Sequence, residues 1–207
     1  MNDPSNEMIL AGRIVTAPVY DHTIFGEAFY KMEVGAKRLS GAEDILPVTV
    51  SERLLGDTPP NEGDAVEITG QIRSYNLKDE AGSHLIITVF AREIRFLAEL
   101  AFDRNETELI GHLCKPVIYR KTPFEREIAD VLIAVNRRYG KSDYLPAIAW
   151  GRNARFANTL SSGDAVRLRG RMQSRLYQKT LQSGETVQRT AYEISCSSIE
   201  RLETIQN

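Results

Sequence analysis

Strict alternation of apolar and polar residues marks Ala165–Ser174 as a β-strand. Shorter apolar stretches predict four further strands around it, at Thr107–Leu113, Ile128–Val135, Leu145–Trp150 and Thr190–Cys196. Between the third and fourth strands, Phe156 and Leu160 lie four residues apart and predict a short helix over Arg152–Leu160. A turn is expected at Leu181–Glu185, centred on Gly184. The order is therefore three strands, a helix and two strands.

This pattern belongs to an internal repeat. At an offset of 99 residues Asn6-Glu7 recurs as Asn105-Glu106, Arg38 as Arg137 and Asp44 as Asp143. After one residue of slippage the run Gly-Asp-Ala-Val at 63–66 returns at 163–166. We therefore predict two tandem domains, at 6–99 and 104–203, joined near Glu99 to Arg104.

The strand order predicts the fold of each copy. For about 100 residues, three strands, a helix and two strands suit a five-stranded Greek-key barrel of the OB type. The fold class is thus all-β with short helices, as two tandem OB barrels. A small β-sandwich is the alternative.

The composition and the spacing of particular residues exclude several classes of protein. Of the 207 residues, 42% are hydrophobic and 26% charged, which is typical of globular proteins. No apolar run is long enough to span a membrane, and the N-terminus does not resemble a signal peptide, so we expect a cytoplasmic protein. Two cysteines, Cys114 and Cys196, and three dispersed histidines show neither zinc-ligand spacing nor a disulfide framework. No phosphate-binding loop is present, so we expect no enzyme, no cofactor and no metal.

Charge divides the two copies. Residues 1–100 contain nine Lys and Arg against 16 Asp and Glu, whereas residues 101–207 contain 17 against 12. Such asymmetry predicts that the second half meets a polyanion and that the first does not.

The outward face of the alternating strand carries the strongest functional signal. This face carries Arg167, Arg169, Arg171 and Arg175. Alternate residues of a strand are roughly 6.6 Å apart, so these arginines should repel one another. An extended polyanion lying along them would relieve that repulsion. The first copy keeps the inward pattern at Val66, Ile68, Gly70 and Ile72 but places Glu67 and Thr69 outside. The barrel therefore does not require the arginines.

Aromatic residues interleaved with basic ones add surfaces on which bases stack, which is typical of single-strand binding. In copy one the equivalents of Tyr139, Tyr144 and Trp150 are Ser40, Ile45 and Ser51. We expect copy one to have a structural or assembly role and copy two to bind a single-stranded nucleic acid. The predicted binding residues are Arg137, Arg138, Tyr139, Lys141, Tyr144, Trp150, Arg152, Arg167, Arg169, Arg171, Arg175, Tyr177 and Lys179.

The second copy resembles the bacterial single-stranded DNA-binding protein family. The resemblance lies in Asn105-Glu-Thr-Glu-Leu-Ile-Gly-His-Leu, in Ala149-Trp-Gly-Arg-Asn-Ala-Arg-Phe-Ala and in the run from Gly163 to Arg175. It implies that Tyr144, Trp150 and Tyr177 contact DNA, with Arg171 and Arg175 beside them. It also implies roles in DNA replication, repair and recombination. Family members form tetramers of single OB folds, so we expect a homodimer that supplies four.

One difference from the family and two alternative functions complete the prediction. The sequence ends at Arg201-Leu-Glu-Thr-Ile-Gln-Asn, without the family's acidic peptide that recruits partner enzymes. One alternative is a protein-interaction module, an accessory factor of replication or conjugation. The other is an RNA-binding protein, because OB folds also accept RNA.

Overall fold

The computed structural model describes residues 5–57, 59–79, 82–180 and 184–203. The chain divides into two compact units. The N-terminal unit comprises Glu7–Arg73 and Ile87–Glu106, and the C-terminal unit comprises Met1–Asn6, Ser74–Ile86 and Thr107–Asn207. These units depart from the repeat boundaries 6–99 and 104–203, because Ser74–Ile86 is assigned to the C-terminal unit. The repeat boundaries remain a proposal for the two domains.

The first half of the sequence forms five strands around one short helix: β1 Asn6–Ile24, β2 Glu27–Lys37, β3 Glu43–Ser51, α1 Glu52–Leu55, β4 Ala65–Asp79 and β5 Gly82–Leu97. Strand β1 pairs antiparallel with β2 and β4, and β2 pairs with β3. Strand β3 pairs in parallel with β5, which lies beside β4. The strands thus close into a ring.

The second half repeats this ring with β6 Arg104–Leu113, β7 Ile118–Lys121, β8 Glu127–Asn136, β9 Ser142–Trp150, α2 Arg152–Ala157, β10 Ala165–Thr180 and β11 Thr186–Arg201. Strand β6 pairs with β8 and β10, β10 with β11, β11 in parallel with β9, and β9 with β8. The predicted five-stranded OB barrel is confirmed, and the sandwich alternative is wrong because each set of strands closes on itself.

Element bounds differ from the sequence prediction in three places. The helix ends at Ala157 rather than Leu160, and the short strand β7 was not predicted. Strands β10 and β11 extend well beyond their predicted ends as a long hairpin. Of the turn predicted at Leu181–Glu185, residues 181–183 lie outside the described part of the chain.

Repeated glycines explain part of the internal similarity. A Cβ on Gly70 would lie 2.3 Å from the Phe90 carbonyl oxygen, and one on Gly170 would lie 2.2 Å from that of Ser195. The strands therefore approach each other at these two points more closely than any other residue permits. Both copies need the glycine because both close the same barrel.

The repeated arginine and aspartate form a buried ion pair. Asp143 is fully buried at the start of β9 and accepts a hydrogen bond from Arg137 Nε at 2.6 Å, with a second contact from Nη2. In the first copy Arg38 donates in the same way to the buried Asp44. A buried carboxylate is costly unless a cation and hydrogen bonds compensate for it, so the pair belongs to the fold.

The two cysteines differ in accessibility. Cys114 is exposed, whereas Cys196 is buried, and its burial raises the pKa of the thiol to about 12. In the part of the chain that the structure describes, no helix is long and apolar enough to cross a membrane.

Replacing Arg137 with Met should lower the free energy of unfolding by about 3–5 kcal/mol, because Asp143 would stay buried without its cation. Urea denaturation measures this. The neighbouring and exposed Arg138 supplies a matched control, and Arg138→Met should change stability by less than about 0.5 kcal/mol. Equal stability of the two variants would show that Asp143 does not depend on Arg137.

Candidate nucleic-acid interface

Strand β10 presents its arginines on the outer face of the C-terminal barrel. The inward residues Val166, Leu168 and Met172 are completely buried. The alternate side chains Arg169 and Arg175 are exposed, and the remaining outward positions are half-buried. The alternation predicted from the sequence is therefore confirmed.

Two of these arginines have acidic partners within the fold. Arg169 lies opposite Glu108 on β6 and forms an ion pair with it. Arg167 contacts Glu108 at 3.3 Å and Glu200, opposite it on β11, at 3.0 Å. Carboxylates on both neighbouring strands therefore relieve part of the expected repulsion within the fold.

Farther along β10, Arg171 contacts a glutamine and Arg175 contacts an aromatic ring. Arg171 donates two hydrogen bonds of 3.1 Å to Gln173 Oε1, and Gln173 in turn donates to Glu193. The Arg175 guanidinium carbon lies 6.0 Å from the ring centroid of Tyr177. This cation–π arrangement presents a positive charge and a flat ring together.

Strand β9 contributes two exposed rings. Tyr144 is 49% exposed and Trp150 is 41% exposed. They point to the same side of the strand, with the buried Leu145 and Ala149 pointing to the other. Six residues separate the rings, which corresponds to roughly 20 Å along the strand.

The registers place these two strands on one continuous surface. Strand β11 lies between β10 and β9, and Ser195 pairs with Arg171 on one side and with Ile148 on the other. The outward residues of β10 and β9 therefore share the outer face of the C-terminal barrel, with Ala191, Glu193 and Ser195 of β11 between them. An extended chain crossing this face would meet both rings and guanidinium groups.

Tyr144 is held at its position by a segment from the first half of the sequence. Its backbone N–H donates to Ser74 Oγ at 2.8 Å, and the Ser74 N–H donates to Asp143 Oδ1 at 2.6 Å. Arg137 Nη2 donates to the Ser74 carbonyl oxygen at 2.8 Å. Arg137 thus binds both Asp143 and Ser74. Because these contacts give it a structural role, we do not propose it as a DNA contact.

The remaining predicted residues lie around this surface. Arg138 and Lys141 are exposed at the loop that precedes β9, and Arg152 is exposed at the start of α2. The side chains of Tyr139 and Lys179 lie outside the described part of the structure.

Sequence reasoning missed Arg189. It lies opposite Tyr177 on β11, and its Nη1 lies 3.1 Å from Nε2 of His84, which belongs to the same compact unit. Counting residues outward from the middle of the turn predicted at Leu181–Glu185 would have paired positions 177 and 189. Within the described residues, no three His, Cys, Asp or Glu side chains come together to hold a metal ion.

The second half of the chain, which carries the outer face of β9 and β10, is similar to known proteins. Residues 104–202 match the model of the single-strand binding protein family. Single-stranded DNA-binding protein 1 of Streptococcus pyogenes serotype M18 is 31% identical over 110 residues, which cover 50% of this chain and 82% of that protein. The chain belongs to the single-strand binding protein family.

Other relatives in this family are longer than the stretch they share with the chain. Single-stranded DNA-binding protein 1 of Staphylococcus aureus strain COL is 34% identical over 106 residues, which cover 48% of this chain and 61% of that protein. The single-stranded DNA-binding protein of Clostridium tetani is matched over 56% of its length. The chain thus spans little more than half the length of these relatives.

Solved structures bear out the fold of the whole chain. The wild-type single-stranded DNA-binding protein of Thermus aquaticus superposes with a TM-score of 0.79 at 21% identity, covering 98% of this chain and 95% of that one. Both barrels therefore match, whereas the family model covers only the second.

Replacing Glu108 with Gln should strengthen binding to oligo(dT) by about two- to fivefold at low salt, because a carboxylate that competes with phosphate for Arg167 and Arg169 is removed. The log–log salt slope should steepen by about 0.7 for each additional phosphate that these arginines bind. Fluorescence titration at several salt concentrations measures both. Glu106→Gln, two residues earlier on β6, is the control and should change neither; weaker binding by Glu108→Gln would contradict the assignment.

Proposed function

We propose that the chain binds single-stranded DNA without sequence preference and protects it during replication, recombination or repair. The observation that carries the proposal is the shared outer face of β9 and β10, where Tyr144 and Trp150 are exposed on β9 and Arg175 lies over the ring of Tyr177 on β10. Membership of the single-strand binding protein family and the names of the relatives support it.

The two kinds of side chain have different tasks in this proposal. Aromatic rings stack on bases of any identity, so they bind every sequence about equally well. Guanidinium and ammonium groups contact phosphates and thereby make binding dependent on salt. Arg167 and Arg169 contribute less than they would without Glu108 and Glu200, which already neutralise part of their charge. The residues proposed to serve the phosphates are Arg171 and Arg175 on β10, together with Arg138, Lys141 and Arg152 at the edge of the face.

We propose that this is a binding function without catalysis. The face offers rings, amides and permanently charged guanidinium groups, which recognise a polymer without transferring protons. Because stacking and phosphate contacts alone account for its chemistry, the proposal requires neither a metal nor a cofactor.

We also propose that two chains pair to bring four barrels together, as the resemblance to the family implies. Static light scattering of the free protein should then give a mass of about twice the 23.3 kDa of one chain, and bound oligo(dT) should add only its own mass. A mass of one chain at micromolar concentration would contradict this part of the proposal and leave the DNA-binding part untouched.

Binding of oligo(dT) should quench the fluorescence of Trp150, the single tryptophan, because bases lie on or near its ring. Tyr144→Ala and Tyr177→Ala should each weaken binding by about 1–3 kcal/mol and leave the salt slope unchanged. Arg175→Met should instead flatten the slope by about 0.7.

Phe102→Ala serves as the control, because its ring is exposed but belongs to neither β9 nor β10. Its affinity should equal that of the unaltered protein. Equal affinity for duplex and single-stranded DNA of the same length, at the same salt concentration, would overturn the proposed function.

A further inference from the structure

The end of the β4–β5 hairpin belongs to the C-terminal unit, although it comes from the first half of the sequence. We call this segment, Ser74–Ile86, the hairpin end. Ser74 is only 6% exposed, and each of its three polar groups bonds to the C-terminal barrel. Its N–H donates to Asp143, its carbonyl oxygen accepts from Arg137, and its hydroxyl oxygen accepts from the Tyr144 N–H. One buried serine thus joins the hairpin end to the residue that carries an exposed ring.

The bond to Tyr144 fixes the N-terminal end of β9. This strand pairs with β8 from Ser142 to Trp150, whereas its described pairs with β11 are those of Ala147 and Ile148. Tyr144 therefore lies ahead of the parallel ladder, and Ser74 supplies the acceptor for its N–H at that edge of β9. Without this acceptor, the backbone that carries the ring would be paired with β8 alone.

The hairpin end is also anchored independently of the Ser74 hydroxyl. Nε2 of His84, on its second strand, lies 3.1 Å from Nη1 of Arg189 on β11. Arg189 is the cross-strand partner of Tyr177. Together with the two backbone bonds of Ser74, this contact holds the segment against the barrel. Loss of the hydroxyl alone would therefore leave the hairpin end in place.

Ser74 itself is not available to DNA. Its side chain is buried, and its hydroxyl oxygen is bonded to β9. Tyr144 is 49% exposed and presents its ring to the outer face instead. An effect of the Ser74 hydroxyl on DNA binding would therefore pass through Tyr144.

The position of the ring matters because stacking requires a base to lie flat against it. A ring on a mobile backbone must be ordered when DNA binds, and this ordering costs conformational entropy. A ring whose backbone is already fixed avoids part of that cost. The bond between Ser74 and Tyr144 should therefore strengthen stacking without adding a contact to DNA.

We infer that Ser74 is a positioning residue for DNA binding, because its hydroxyl holds the backbone of Tyr144 so that the ring can stack on a base. The inference rests on the proposed function, since it concerns the same face and the same ligand. It gives the first copy a specific part in the site of the second, through a residue that does not itself contact DNA.

The variant Ser74→Ala separates the hydroxyl from the other contacts of Ser74. It retains the N–H that donates to Asp143 and the carbonyl oxygen that accepts from Arg137, so the buried carboxylate stays compensated. Affinity for oligo(dT) should fall about three- to tenfold with an unchanged salt slope, because stacking is weakened and no phosphate contact is lost. Fluorescence titration of the full chain at several salt concentrations measures both.

Ser142→Ala is the matched control. Ser142 lies two residues before Tyr144 on β9, and its hydroxyl donates to Asn136 Oδ1 at 3.1 Å. The substitution removes one hydroxyl from the same strand but leaves the Tyr144 N–H bonded to Ser74. Its affinity for oligo(dT) should equal that of the unaltered protein.

A double-mutant cycle distinguishes the positioning of Tyr144 from a general loss of stability. In the Tyr144→Ala background, Ser74→Ala should cause no further loss of affinity, because the ring that the hydroxyl positions is gone. In the Tyr177→Ala background, the full loss of about three- to tenfold should remain, because that ring lies on another strand.

Amide hydrogen exchange of the free protein supplies a measurement that does not depend on DNA. Ser74→Ala should speed the exchange of the Tyr144 N–H, which loses its acceptor, whereas Ser142→Ala should leave that exchange rate unchanged. Nuclear magnetic resonance follows this amide directly in the full chain.

The possible failures are distinguishable. Equal affinity of Ser74→Ala and the unaltered protein, with or without faster exchange at Tyr144, would overturn the positioning role and leave the proposed function intact. A loss of affinity that persists in the Tyr144→Ala background would do the same, since Ser74 would then act through the fold as a whole. Failure of the unaltered protein to bind oligo(dT) would overturn the proposed function and this inference together.

Discussion

The buried carboxylate of Asp143 fixes the geometry on which the rest of the C-terminal barrel depends. A charge with no access to water must be compensated, and here Arg137 and the backbone of Ser74 compensate it. These bonds tie the loop after β8 and the end of the β4–β5 hairpin to the first residues of β9. Tyr144 is the next residue, so its ring is positioned by an interaction that never touches a ligand. The Arg38–Asp44 pair shows that the first barrel uses the same solution.

The two barrels have equivalent inward residues but different outward residues. Glycines at 70 and 170 and the inward aliphatic residues occupy equivalent positions, because closing the ring leaves no alternative. Outside, the second barrel places rings on β9 and charges on β10, whereas the first places its rings on the strands beside β3. On the surface, the larger residue of a cross-strand pair can lie on either strand, because the pair fills the same space in both cases.

Sequence reasoning succeeded where a single strand holds the information. The alternation from Val166 to Met172 gave the strand, its faces and the exposed arginines, and the repeat gave the second barrel. It failed where the information lies in the register between strands. Nothing within β10 shows that Glu108 and Glu200 stand beside Arg167, and nothing near Arg137 shows that Asp143 is buried. The contact between Phe29 on β2 and Phe90 on β5 was missed for the same reason, because 61 residues separate two rings whose centroids lie 5.9 Å apart.

The contrast between the two cysteines makes this chain convenient for optical work. The buried thiol of Cys196, with a pKa of about 12, remains protonated and shielded at neutral pH, whereas Cys114 is exposed just after β6. A maleimide dye should therefore attach at one place without prior mutagenesis. Burial also raises the pKa of Cys114, so mildly alkaline buffer favours the coupling. Movement of labelled chains along a stretched strand could then be followed one molecule at a time.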